Sequence, residues 1–142
     1  MNRHTDPEHR EHRRVHPAGA FKGMNVKNPA GNDLGKIEDI AVDTESGRIA
    51  YAVLSFGGFL GMGDKLFAVP WESLELTIDN GSMFTLDVTE ERLKEAPGFD
   101  KNHWPDMGDA QWGQQVHAHY GRTPYWEKTE TPSSRPDRPP SA

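Results

Sequence analysis

The sequence contains no cysteine. That excludes disulfides, a thiolate nucleophile, Cys-ligated zinc and cysteine-held iron–sulfur clusters, while leaving the redox compartment open. Large apolar residues are also scarce. Hydrophobic side chains make up 34% of the 142 residues and aromatics 9%. An ordinary globular chain carries about 45–50% apolar residues, glycine included, so part of this chain must be unpacked tail. Long hydrophobic runs are missing too. The longest uncharged stretch, between Arg48 and Asp64, is fifteen residues, short of the roughly 20 that a spanning helix needs. Gly57, Gly58, Gly61 and Gly63 interrupt it. The first sixteen residues have no apolar h-region of a secretory signal. A soluble cytoplasmic protein is expected, one that reaches a membrane only by docking on a membrane complex.

Basic charge is the remaining shortage. Lys and Arg number 16 against 22 Asp and Glu, a formal net charge of -6. Residues 21–96 hold thirteen acids and seven bases, which accounts for all of it. Such a segment is a poor grip for nucleic-acid phosphates, and no direct nucleic-acid binding is expected.

Composition divides the chain into four parts. Residues 1–20 are rich in His and Arg. Residues 127–142 place Pro132, Pro136, Pro139 and Pro140 among Ser, Thr and charges. Both read as disordered tails, unable to bury enough surface to offset the entropy of ordering. Between them, residues 21–90 read as short strands. One runs around Met24 to Lys27 and ends in the turn cluster Asn28 to Asn32. Leu34 to Val42 follows, with apolar positions that do not alternate cleanly and with Gly35 marking a bulge or bend. Asp43 to Gly47 is a hairpin loop. Arg48 to Phe56 carries apolar groups on both faces, the pattern of a central strand covered on both sides. Leu66 to Val69 is stopped by Pro70. Leu74, Leu76 and Ile78 alternate, Asp79-Asn80-Gly81 turns the chain, and Phe84, Leu86 and Val88 alternate on the return. About six strands with no crossover helix point to an antiparallel sheet. Closing it into a small barrel would remove the exposed edges.

Residues 91–126 read as a helical extension packed on that barrel. Thr89 caps a first short helix and Pro97-Gly98 stops it. Asp109 caps a second, Gly121 ends it, and Trp112, Val116 and Tyr120 share one face. Phe99, Trp104 and Pro105 form an aromatic linker between them.

Three strings in this pattern resemble the PRC-barrel domain family. Asn28-Pro-Ala-Gly-Asn-Asp-Leu-Gly-Lys-Ile-Glu-Asp-Ile40 is similar to the opening of such domains. Asp43-Thr-Glu-Ser-Gly-Arg-Ile-Ala-Tyr-Ala-Val-Leu54 and Phe67-Ala-Val-Pro-Trp71 are similar to its next two signatures. The family takes its name from the cytoplasmic domain of the photosynthetic reaction centre H subunit and includes the C-terminal domain of a ribosome maturation factor. The stretch from Ala96 to Trp126 looks like the extension of stand-alone bacterial members. The resemblance implies a small closed β-barrel acting as a non-enzymatic adaptor, with no catalytic motif to transfer.

Read by their own chemistry, few residues suggest a reaction. The loop Gly57 to Lys65 lacks the Gly-Lys-Ser/Thr ending of a phosphate loop. It sets Phe59, Leu60 and Met62 between glycines. These side chains either form an exposed apolar knob for a partner or fold back to cap the barrel end. His9, His12 and His16 would share one face of a helix opened by Pro7 and are the weak candidates for a metal; a polar tail is the plainer reading, and no metal or cofactor is expected. Glu38, Asp39, Asp43 and Glu45 cluster near one hairpin without a calcium-loop pattern and read as a solvated acidic face. Ser55 and Ser73 lack a nucleophile-elbow context. Trp71, Trp104, Trp112, Tyr125 and Trp126 suit packing better than base stacking, for want of a Lys/Arg stripe.

The expectation is therefore a non-enzymatic adaptor that binds a protein partner and self-associates, with Phe59, Leu60, Met62 and Trp71 as candidate contact residues. The alternative is an accessory factor in ribosome maturation that docks on a basic ribosomal protein, where opposite charge speeds encounter.

Overall fold

The strand Arg48–Phe56 alternates Tyr51 and Val53 with Ala52, Leu54 and Phe56, and every residue from Ala50 to Phe56 is buried. Such a strand cannot lie on a surface; both its faces need a cover. The computed structural model describes residues 13–57, 65–77 and 83–127 and shows both covers.

Seven strands form one sheet. They are β1 (Asn25–Lys27), β2 (Asp33–Asp43), β3 (Arg48–Phe56), β4 (Lys65–Pro70), β5 (Leu74–Thr77), β6 (Met83–Leu86) and β7 (Gly98–Phe99). Their order is β5-β6-β1-β2-β3-β4-β7. Most neighbours are antiparallel, with Tyr51 opposite Pro70 and Phe56 opposite Lys65 in the β3–β4 pair. β1 and β6 are parallel, Val26 standing opposite Phe84.

Three expectations change here. The sheet has seven strands rather than six. The seventh, β7, is two residues long and pairs Phe99 with Leu66, too short to leave an alternating pattern. The sheet is mixed rather than antiparallel, because the chain between β1 and β6 is itself the crossover that a parallel pair needs. Finally, β5 and β7 lie at opposite ends of the order and do not pair, so the sheet is not closed by hydrogen bonds among the described residues.

The uneven pattern of β2 has a cause. Its ladder to β3 shifts register between Ile37 and Asp39 and again between Ala41 and Val42. Each bulge adds a residue to one strand and turns the next side chain over. The β1–β2 ladder shifts as well, Val26 facing Gly35 and Lys27 facing Asp33; that shift and the one after Ile37 let Leu34, Ile37 and Ile40, three apart, all reach the same core. Gly35 sits beside the first bend with φ +112°, and a Cβ there would lie 2.2 Å from the Ser55 carbonyl oxygen.

Two cores result. On one face Val26, Leu34, Ile37, Leu54, Phe67 and Phe84 pack with Leu93. Leu93 comes from the helix α1 (Glu90–Lys94), whose N-cap is Thr89: the Arg92 amide donates to Thr89 Oγ1 at 3.0 Å. On the other face Tyr51, Val53, Leu66, Ala68 and Phe99 pack with Val116. Val116 lies on the helix α2 (Ala110–His119), capped by Asp109. The two helices are tied to each other: His119 Nε2 donates to the Arg92 carbonyl at 2.8 Å, and Arg92 donates to the His119 carbonyl at 3.0 Å. A short 3-10 turn, Ala18–Phe21, brings Phe21 into the first core.

Replacing Gly35 with Ala forces a Cβ against backbone in a left-handed conformation. We expect Gly35→Ala to cost about 2–4 kcal/mol, measured by urea unfolding; a loss below 1 kcal/mol would mean that the bend is not a fixed feature of β2.

Candidate functional site

The hairpin between β2 and β3 is built by one carboxylate. Asp43 Oδ1 accepts the amides of Glu45 at 2.9 Å and Ser46 at 3.2 Å, and the Gly47 amide donates to the Asp43 carbonyl at 2.7 Å. Oδ2 remains, and the Tyr125 hydroxyl donates to it at 2.6 Å. Residues 82 positions apart in sequence are thereby joined.

Tyr125 opens the 3-10 turn Tyr125–Glu127, and that turn is held from three sides. Its hydroxyl is on Asp43. Its carbonyl accepts Arg48 Nη1 at 3.1 Å, and the Arg48 guanidinium lies 5.7 Å from its ring centre. Its amide donates to His117 Nε2 at 3.3 Å. His117, on α2, donates from Nδ1 to the Gly113 carbonyl at 2.7 Å. A carbonyl can only accept, so Nδ1 carries the proton and Nε2 presents a lone pair. Trp126 packs its ring 5.6 Å from that of His117 and lies over Gly113, where a Cβ would meet its Cη2 at 2.6 Å.

This strap borders a cleft of about 520 Å³ lined by Val42, Asp43, Tyr51, Met107, Tyr125 and Trp126, among others. The exposed large hydrophobic residues of the described chain are Val15, Val42, Trp104 and Trp126. Two of these four, Val42 at 51% and Trp126 at 40% exposure, meet at this one cleft.

The ionisable groups here are tuned away from proton transfer near neutrality. The hydrogen bond from Tyr125 holds the Asp43 carboxyl below the usual carboxylate range despite some desolvation; the Ser46 and Glu45 amides and the Arg48 charge reinforce it. Burial, with Asp43 nearby, pushes the Tyr51 hydroxyl up to about 12. Burial and the bond to Asp43 likewise raise Tyr125. Burial pulls His117 below its ordinary value of 6.5.

Of the four candidate contact residues, Trp71 alone is among the described residues. Phe59, Leu60 and Met62 lie outside the described residues, as do His9 and His12. His16 is exposed, its ring edge-on to Phe21 at 6.1 Å. Trp71 is half-buried on the opposite core, 5.7 Å from Phe21 and 5.6 Å from Phe84. Trp71 therefore stands apart from the cleft. Among the described residues no three His, Cys, Asp or Glu side chains group as metal ligands. Of the aromatic residues of the extension, Trp112 packs on Tyr51 at 5.2 Å, while Trp104 touches Phe99 at 5.1 Å and stays exposed. Reading the acidic cluster as solvated missed the part played by Asp43. Its only trace in the sequence is an Asp opening a turn that ends in Gly.

A mixed seven-stranded β-sheet with appended helices is thus the frame that carries the cleft. The chain belongs to the PRC-barrel domain family, whose model matches residues 15–93, more than half of its length. No curated protein matches it. Among the described residues no helix is long and apolar enough to cross a membrane.

The Asp43–Tyr125 contact joins a carboxylate to a hydroxyl, and such bonds are worth about 1.5–3 kcal/mol when charge-assisted. Screening at this half-buried position brings the expected loss for Tyr125→Phe nearer to 1 kcal/mol. The double variant with Asp43→Asn should lose less than the sum of the two single changes, measured by denaturant unfolding; strict additivity would contradict a direct bond.

Proposed function

We propose that this chain is a non-enzymatic PRC-barrel adaptor whose partner is a protein, in the first place a second copy of itself, and that it works in the cytoplasm. The observation that carries this reading is the meeting of Val42 and Trp126 at one cleft. Exposed aliphatic and aromatic groups set together, with a polar rim, are the usual make-up of an interface centre. The cleft's chemistry supports the same conclusion. Asp43 is committed to four hydrogen-bonding duties across the hairpin and the strap, and Tyr51 keeps its proton far above neutral pH. General acid–base work needs a group whose pKa lies near the working pH.

The apolar groups Phe59, Leu60, Met62 and Trp71 are assigned to the same role as a second contact surface. Pairing of the two surfaces between copies would be a heterologous contact, pairing of like with like an isologous one. The acidity of residues 21–96 supports docking on a basic protein, a ribosomal protein included, as a second reading, through faster encounter.

Val42 is half-exposed, so a polar replacement should cost little stability. We expect the full chain to self-associate in sedimentation velocity and Val42→Glu to weaken that association about tenfold or more, a loss of about 1.4 kcal/mol, with the unfolding midpoint nearly unchanged. Equal association by Val42→Glu, with loss on changing Phe59, Leu60 and Met62 to Ser, would move the contact to the glycine loop. Association unaffected by either set would contradict self-assembly through these apolar groups.

A further inference from the structure

His117 is the one imidazole of the described chain that is fully buried, at 1% exposure, and both its nitrogens are used. Nδ1–H is spent on the Gly113 carbonyl within α2, and the Nε2 lone pair accepts the Tyr125 amide. A proton added to this ring can go only to Nε2. There it would set an N–H against the N–H of Tyr125, turning an attraction into a repulsion between two donors. We propose that His117 is a proton-operated latch: its neutral ring holds the strap Tyr125–Glu127 against α2, and its protonation releases that strap and withdraws Trp126 from the cleft.

The strap is placed for such a movement. It is three residues long, carries no buried residue, and is held by the His117 acceptor, the Asp43 acceptor and the Arg48 donor. The ring faces charge from several elements. Glu72, in the 3-10 turn Trp71–Ser73, and Glu127, on the strap, favour its protonation; Arg122, between α2 and the strap, opposes it. Arg122 is fixed by donating from Nε to Ser73 Oγ at 3.1 Å. From β3 the ring meets the uncharged ring of Tyr51, at 5.5 Å between centres, and from the strap the rings of Tyr125 and Trp126. His119 points away, to α1. Asp43 stays ionised throughout the range in which an imidazole titrates, since its carboxyl is held low. The other anchors of the strap are therefore constant while His117 changes.

The sign follows from burial. Burial depresses the His117 pKa below the 6.5 of a free imidazole; opening the strap relieves that burial, so the open form binds the proton more tightly. The latch is fully set above about pH 6.5 and weakens as the pH falls from there toward the depressed value. Its consequence for binding rests on the interaction reading given above, and the two are measured separately.

The experiment is residue-resolved amide exchange by NMR on the full chain between pH 8 and 5, corrected for intrinsic exchange, beside sedimentation velocity over the same range. Opening of the strap should raise exchange at the Tyr125 amide about tenfold or more by pH 5, with β3 amides such as Val53 unmoved. The His117 ring should titrate below 6.5. Tyr125→Phe should shift its midpoint upward toward 6.5, because a weaker strap resists protonation less. His117→Asn, which can still donate to the Gly113 carbonyl, should abolish the pH response. Because residue 117 is buried, the wild-type ring titration and the Tyr125→Phe shift test the latch without that variant. Exchange at Tyr125 independent of pH would overturn the latch. So would loss of protection in β3 at the same pH as in the strap, or an unshifted midpoint in Tyr125→Phe. Strap opening without any change in self-association would leave the latch standing and overturn the cleft as the association surface.

Discussion

Everything in this molecule follows from burying β3 on both faces. Ala52, Leu54 and Phe56 enter one core, Tyr51 and Val53 the other. A fully buried side chain of this size contributes about 1.5–3 kcal/mol, so the strand is a large share of what holds the fold. The first face is covered by the sheet's own neighbours and by Leu93. The second has no sheet to meet it. It is covered by α2, β7 and the strap, to which residues 99–126 bring six of the chain's thirteen aromatic side chains. Trp112, Val116, Tyr120 and Tyr125 complete a core that residues before 91 cannot close.

That arrangement carries a polar cost. Tyr51 brings a hydroxyl into the second core, where it has no hydrogen-bond partner among the described residues. His117 is buried beside it. A buried group left unpaired costs about 1–3 kcal/mol, and a purely apolar cover would avoid it. The polar groups that do pair here are those that tie the strap down: His117 to Tyr125, Tyr125 to Asp43, Arg48 to the Tyr125 carbonyl. The cover is thus partly a core and partly a set of releasable hydrogen bonds. Stability and the ability to move are separated, the first residing in the sheet and the second in three residues at its margin.

Much of the sheet was legible in the sequence because it rests on local signals. Arg48–Phe56 appears with the boundaries read from its two apolar faces, and Thr89 and Asp109 cap the helices they were expected to cap. The Asp43–Gly47 loop forms as its turn residues suggest. What failed to show depends on distant partners. β7 is two residues held only by β4. The parallel pairing of β1 with β6 has no local signature. The spacing of Leu34, Ile37 and Ile40 was visible, yet it needed the bulges to explain it. The cleft was the least legible part. Asp43 and Tyr125 are far apart in sequence, and an acidic turn residue looks the same whether or not a hydroxyl reaches it from the far end of the chain. The burial of His117 likewise depends on Trp126 and Tyr51 lying over it, which its own helix does not reveal.

The central claim is that the cleft beside the β2–β3 hairpin is where this PRC-barrel chain meets its protein partner. The most direct measurement is hydrogen–deuterium exchange on the full chain, comparing dilute with concentrated protein at pH 7.5. Protection gained at Val42–Glu45, Met107–Ala110 and Tyr125–Trp126 together is the predicted result. Protection gained only along the edge strand Leu74–Thr77, with these three segments unchanged, would contradict it.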